Sequence, residues 1–227
     1  MRGDVKKAIK PGLTHTNQLV CLSMLTETKP IPGRTRILNA AVKLIRTKGY
    51  NATTVDDLCT EAGVTKGSFF HHFRSKDELG AATARHWTDM TSPLFAGAPY
   101  HQPGRALDRV LAYIDFRRSI IGGELAEFTC LAGTLAQEVH TSHPEIAQAA
   151  GKSIAAHAST LEADIQSAME ESGKVFDFTP ESLALHTQAV LQGGFIIAKS
   201  TGDPRHAEDA VDHLHRYVEL LFRQPVE

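Results

Sequence analysis

An all-α fold is predicted for this chain of 227 residues by three observations. Apolar residues recur three and four positions apart through most of the chain, the spacing of one helix face. Thr and Ser stand ahead of the apolar runs, and Gly or Pro closes them, as at helix ends. No alternating apolar pattern of strand length interrupts these runs, and no internal repeat is found.

Composition bounds the class. Apolar content of 42% and charged content of 22% are ordinary for a globular chain with a substantial core. The net charge of −2 conceals a division. Residues 33–76 carry eight Lys/Arg against three acids, a net of +5, whereas residues 77–227 carry 11 against 21, a net of −10. A basic module on an acidic body favours a polyanionic partner at the module alone. Cys21, Cys59 and Cys130 are far apart and odd in number, so neither a disulfide framework nor a CxxC metal site is expected. The run "LVCLSML" is too short to cross a membrane. The expectation is a soluble, cytoplasmic chain with no membrane partner.

The elements follow in order. Residues 1–33, with Lys, Thr, Gly and three prolines and no period, read as a flexible basic leader. Met24 inside it leaves open whether residues 1–23 belong to the native protein. From Arg34 the helical pattern begins: Ile37, Ala41, Leu44 and Ile45 share a face, and Lys48-Gly49 forms a basic last turn and a stop. Thr54 caps a second helix with Asp57 as a shortened capping box, and Val55, Leu58, Cys59 and Ala62 form its apolar stripe. Gly63 permits a sharp turn, Val64 plugs the core, and Thr65 caps a third helix. On that helix Phe69 and Phe73 point inward, while Lys66, Phe70, Gly67 and His71 fall outward. Ser75 starts a long helix through Leu79, Trp87 and Met90 toward Pro93. Further helices are expected near 104–121, 125–140, 144–172, 181–200 and 205–223.

A helix, a glycine turn and a short helix with a polar outer face make a helix-turn-helix. The major groove of DNA admits one such helix while its predecessor crosses the phosphate backbone. Gly67 and Ser68 allow close approach; Lys66 and His71 can donate to phosphate or bases. Thr54, Thr65 and Lys76 stand at helix N-termini, where phosphates bind well.

The stretch "TRILNAAVKLIRTKGYNATTVDDLCTEAGVTKGSFFHHFRSKDEL" closely resembles the DNA-binding head of TetR-family transcriptional regulators over residues 33–79. The residues that carry the likeness are Gly49-Tyr50, Thr53-Thr54, "AGVTKGSFFHHF" and "SKDEL". One departure stands out: the family's backbone-contacting tyrosine is Phe70 here, which can pack against the sugar-phosphate edge but has no hydroxyl to donate. The resemblance implies a three-helix DNA-binding head at 34–79 joined to a helical body at 80–227 that dimerises and encloses a small-molecule pocket.

The body's residues support that organisation in part. Gly193-Gly194 lies mid-helix, where glycine costs roughly 1 kcal/mol relative to alanine, and close approach of another helix is a reason to keep it. Val211, Leu214, Val218 and Leu221 form a seam on the last helix. With His186, Val190, Gly193, Gly194 and Ile197 they are the expected dimer interface; an intramolecular core is the competing reading. The segment "CLAGTLAQE" resembles a signature of one branch of the family. Cys130 and Thr134 share a face there and, with Trp87 and Phe116, are candidate pocket residues. His157 and His186 could touch a ligand, although a structural role suits each. No histidine pair has the HExxH spacing of a zinc site, so no metal and no cofactor are expected.

The function expected is a dimeric, ligand-responsive repressor. It would bind a palindromic operator in double-stranded DNA and be released by an unknown small-molecule effector. The alternative is a helical enzyme using His or Cys residues of the body. No arrangement of nucleophile, base and orienting group supports that alternative, and no catalytic residue is assigned.

Overall fold

Three hydroxyl caps set the beginning of the fold, which the computed structural model describes for residues 31–223. Helix α1 (Gly33–Lys48) ends at Gly49. Helix α2 (Val55–Ala62) starts at Thr54, whose hydroxyl accepts the Asp57 N–H at 3.1 Å while the Asp57 carboxylate accepts the Thr54 N–H at 2.8 Å. This reciprocal box satisfies two otherwise orphaned donors. Lys48 closes on the same carboxylate at 2.7 Å and holds the end of α1 to the start of α2. Helix α2 stops at Gly63, whose φ of 60° is left-handed backbone that a side chain would strain. Thr65 then caps α3 (Lys66–His72), and Ser75 caps α4 (Lys76–Ala96). The expected caps are all present.

Phe69 and Phe73 point into the core, as their spacing predicts, together with Ile37, Ala41, Ile45 and Leu58. Helix α4 runs on through Pro93 to Ala96. A proline so near the C-terminus removes only a bond in the last turns.

The body comprises a short 3₁₀ turn (Pro99–His101), α5 (Ala106–Ser119), α6 (Leu125–Phe128), α7 (Leu131–Val139), α8 (Pro144–Ser159), α9 (Glu162–Ser172), α10 (Pro180–Thr201) and α11 (Arg205–Phe222). No strand occurs among the described residues. Two expected helices are each broken in two. The 125–140 helix breaks at Thr129, where ψ is 154° and the carbonyl accepts Arg46 Nε at 2.9 Å instead of a helical N–H. The 144–172 helix breaks at Thr160, whose N–H and hydroxyl both turn back to the His157 carbonyl, at 3.3 and 2.7 Å.

Two apolar clusters organise the packing. One joins α1–α4 to Leu131, Leu135 and Val139 of α7 and to Ile146 and Ala150 of α8. The other is built from α5, α9, α10, α11 and the end of α8. Cys130 packs against both.

The seam on α11 has a different use from the one expected. Val211, Leu214 and Val218 are buried within the protomer, Val218 at 0% exposure. A Cβ on Gly194 would lie 3.1 Å from Ala210 Cβ and 3.2 Å from Ala207 Cα, so this glycine lets α10 and α11 of one chain cross closely. These four residues therefore serve the intramolecular core. The large apolar residues exposed on the two helices are Leu185, Ile196, Ile197, Tyr217 and Leu220.

Candidate nucleic-acid interface and helical body

Helix α3 presents Lys66, Gly67, Phe70 and His71 to solvent, with Ser68 half-buried beside them. Phe70 is 54% exposed, an unusual placement for a phenylalanine whose neighbour Phe69 is fully buried. A Cβ on Gly67 would meet only the Thr65 hydroxyl, at 3.8 Å. Nothing in the protomer therefore demands glycine at that position. The start of α1 lies alongside: a Cβ on Gly33 would stand 3.1 Å from His72 Nε2 and 3.9 Å from Ser68 Oγ.

The charges of this region are arranged in pairs. Lys66 meets Asp56 at 2.7 Å, Lys43 meets Glu61 at 2.6 Å, and Lys48 meets Asp57 at 2.7 Å. These pairs are exposed and bind weakly in water, so a phosphate can compete for the lysines. Hydrogen bonding to Asp56 raises the Lys66 ammonium pKa, and the Lys48 ammonium holds the Asp57 carboxyl well below its ordinary range. Two further cations, not singled out by motif, border α3. Arg34 lies over the Phe73 ring at 5.1 Å, and Arg36 donates to the Gly63 carbonyl at 3.2 Å. Their signal in the sequence is only the local basic excess.

Thr54 and Thr65 both spend their hydroxyls on capping. Lys76 is drawn inward: its ammonium donates to the carbonyls of Tyr50 and Thr53, both at 3.0 Å, and lies 4.4 Å from the Tyr50 ring centre. It holds the turn between α1 and α2.

Two clefts in the body bear on the candidate pocket residues. A small one, of about 20 Å³, is lined by Cys130, Thr134, Gln192 and Lys199, among others. There Lys199 donates to the Thr134 hydroxyl at 2.9 Å, and burial, reinforced by the Arg46 charge, lowers the pKa of its ammonium. A wider cleft of about 290 Å³ runs between Tyr100, Ala112, Asp115 and Phe116. The four candidate pocket residues thus separate. Cys130 and Thr134 line the first cleft, Phe116 the second, and Trp87 neither. Trp87 packs on the head cluster with the Arg46 guanidinium 4.7 Å over its ring.

Between the clefts lies a polar network that periodicity did not reveal. Tyr113 and Arg117 of α5, His157 of α8 and Gln188 of α10 converge. Arg117 Nη1 donates to the Tyr113 hydroxyl at 3.2 Å and to His157 Nε2 at 3.1 Å. The Tyr113 hydroxyl donates to His157 Nε2 at 2.9 Å and accepts from Gln188 at 3.0 Å. Burial, with the Arg117 charge adding to it, pushes the His157 imidazole down to about 3, so it is neutral.

An exposed recognition-type helix on a three-helix head, followed by an all-helical body, defines a helix-turn-helix protein of two-part architecture. Residues 37–83 match the description "Bacterial regulatory proteins, tetR family", and residues 106–214 match "Tetracyclin repressor-like, C-terminal domain". The chain belongs to the TetR family, a family of transcriptional regulators and not of enzymes.

Among curated relatives, the HTH-type transcriptional regulator YerO of Bacillus subtilis is 34% identical over 56 residues, 25% of this chain and 19% of that protein. The HTH-type transcriptional repressor KstR2 of Mycolicibacterium smegmatis is 34% identical over 64 residues, 28% of this chain and 31% of that one. The chain thus spans about a fifth to a third of the length of these relatives. Whole-chain likeness is structural. A TetR-family regulator of Agrobacterium tumefaciens superposes with a TM-score of 0.71 at 20% identity, over 82% of this chain and 96% of that one. The reduced form of Escherichia coli NemR superposes with a TM-score of 0.66 at 26% identity, over 81% and 95%.

Proposed function

We propose that this chain is a homodimeric, cytoplasmic repressor that binds a palindromic operator in double-stranded DNA and releases it when a small molecule occupies the body. The observation that carries this reading is the outer face of α3. It is exposed, carries Lys66 and His71, and keeps a glycine for which the protomer has no packing use. A major groove would use that glycine, because close approach of a recognition helix needs a small residue there. With a whole-chain pI near 6.6, affinity must arise from the local basic head.

A second copy of the chain would cover Leu185, Ile196, Ile197, Tyr217 and Leu220 on α10 and α11, with His186 against Tyr217 at 5.2 Å. Two heads then meet half-sites about 34–36 Å apart. A ligand releases DNA only by preferring the conformation with the wrong head spacing. Contacts from α7 and its N-terminal flank to the head give that preference a route: Glu138 to the turn after α1, and Arg46 to the Thr129 carbonyl.

Fluorescence anisotropy against the DNA upstream of the protein's own gene, in rising salt and beside a scrambled duplex, tests the proposal. Selective binding with a steep salt slope is expected. Lys66→Ala with His71→Ala is expected to abolish it while the helical circular dichroism stays unchanged. Equal retention by that double variant would overturn the assignment of α3 as the reading helix.

A further inference from the structure

Arg117 is 8% exposed, and its buried Nε has no hydrogen-bond partner. Its Nη1 partners, the Tyr113 hydroxyl and a neutral imidazole, carry no negative charge. Among the described residues no carboxylate forms an ion pair with it. Instead it lies amid aromatic rings: 5.2 Å from the centre of Phe95 and 6.0 Å from those of Tyr113 and Phe195. Arg109 and Arg118, on the same helix, both have acidic partners, Asp164 for the first and Glu208 and Asp212 for the second. Burying a cation without a counter-ion carries a large desolvation cost, which no opposite charge offsets here. Stability therefore does not explain Arg117.

We propose that Arg117 is the anion-binding residue of the effector site, and that the effector is a small organic monocarboxylate with an apolar body. This rests on the reading of the chain as an effector-responsive regulator. One guanidinium, beside a neutral histidine and among aromatic rings, matches one negative charge; a dianionic phosphate would leave a charge uncompensated. The orphaned Nε–H and an Nη–H form the fork that a carboxylate accepts in bidentate fashion. The Gln188 amide, which also donates to the Tyr113 hydroxyl, supplies an adjacent donor. Phe95, Tyr113 and Phe195 offer the apolar portion its walls. The 290 Å³ cleft lies beyond these rings: Tyr100 of its lining packs on Tyr113 at 5.3 Å and Phe116 on Phe95 at 5.8 Å, so a carboxylate that enters there displaces rings to reach the guanidinium. Occupancy would bear on the head through α8, which carries His157 and, by Ser153, hydrogen-bonds Thr88 of α4 at 2.7 Å.

The test titrates the purified full chain with benzoate, phenylacetate and octanoate, each beside its own amide, by calorimetry and thermal shift. At least one carboxylate is expected to bind at least tenfold more tightly than its amide. Arg117→Met should abolish that preference while melting no lower than the wild type without ligand. Arg117→Lys should keep the preference at weaker affinity. The proposal is overturned if no acid in the set beats its amide, if the preference survives in Arg117→Met, or if Arg117→Met fails to fold. Operator binding by the same wild-type preparation separates the two readings. Retention of DNA with no carboxylate preference removes only this inference, whereas absence of DNA binding removes the regulator reading itself.

Discussion

The Glu138 carboxylate of α7 accepts the backbone N–H groups of both Tyr50 and Asn51, at 2.6 and 2.9 Å, and so caps from the body the turn that leads from α1 to α2 in the head. The same turn receives Lys76 from the opposite side, on the Tyr50 and Thr53 carbonyls. Its donors and acceptors are thus held by two oppositely charged side chains from different helices.

Removing the acid leaves two N–H groups at a half-buried turn with only water as a partner. Hydrogen bonds to a charged group contribute about 1.5–3 kcal/mol each, partly recovered here by hydration. Glu138→Ala should lower the melting temperature by several degrees. It should also speed amide exchange at Tyr50 and Asn51 ahead of the rest of α1. Hydrogen exchange read by mass spectrometry or NMR checks this, and unchanged exchange at those two amides would mean that the cap is not formed in solution.

Two glycines four residues apart should respond in opposite ways. Gly63 has a φ of 60°, and alanine there should cost roughly 1–2 kcal/mol of stability. Gly67 sits in a helix with open space beyond it, so alanine should stabilise the fold by up to about 1 kcal/mol. On the proposed reading, that same Cβ would intrude on the groove and weaken operator binding at least tenfold. Melting curves and anisotropy on the two variants measure both effects; a Gly67→Ala chain that binds DNA normally would show that α3 does not approach so closely.

The imidazole of His157 is held neutral by burial and by Arg117, with its pKa pushed down to about 3 against 6.5 for a free histidine. Between those values the unfolded chain binds a proton that the folded chain refuses. Stability therefore falls as pH drops below about 6.5, by up to about 1.4 kcal/mol per pH unit. Above 6.5 this histidine contributes no pH dependence. His157→Gln should flatten the acid limb of a plot of melting temperature against pH, and an unaltered slope would place the acid sensitivity elsewhere.

The legibility of the sequence followed the range of its signals. Thr54 with Asp57, Gly63, Thr65 and Ser75 act on backbone groups within four residues, so the head could be read to the residue. The helix breaks at Thr129 and Thr160 could not. At Thr129 the break is fixed by Arg46, 83 positions away, and Thr160 belongs to an otherwise unbroken helical pattern. The meeting of Arg117 with His157 and Gln188 was equally hidden, because each residue taken alone looks like an ordinary polar position. Lys76 had the right type and place for a phosphate contact. Only the fold reveals carbonyls already gathered around it.

Periodicity also located the apolar face of α11 without telling which partner it meets, and a pair of substitutions separates the two possibilities. Val218 is wholly buried inside the protomer, whereas Leu220, two positions along, is 59% exposed. A charge at Val218 would be buried without a partner, so Val218→Asp should unfold the chain. At Leu220 an aspartate remains in water in the monomer, and only a second copy would object to it. On the proposed homodimer, Leu220→Asp combined with Ile197→Asp on α10 should therefore keep the helical spectrum while shifting the protein from dimer to monomer by light scattering. Operator affinity should fall with it, since one head then binds without its twin. A double variant that stays dimeric would move the interface off the exposed face of α10 and α11.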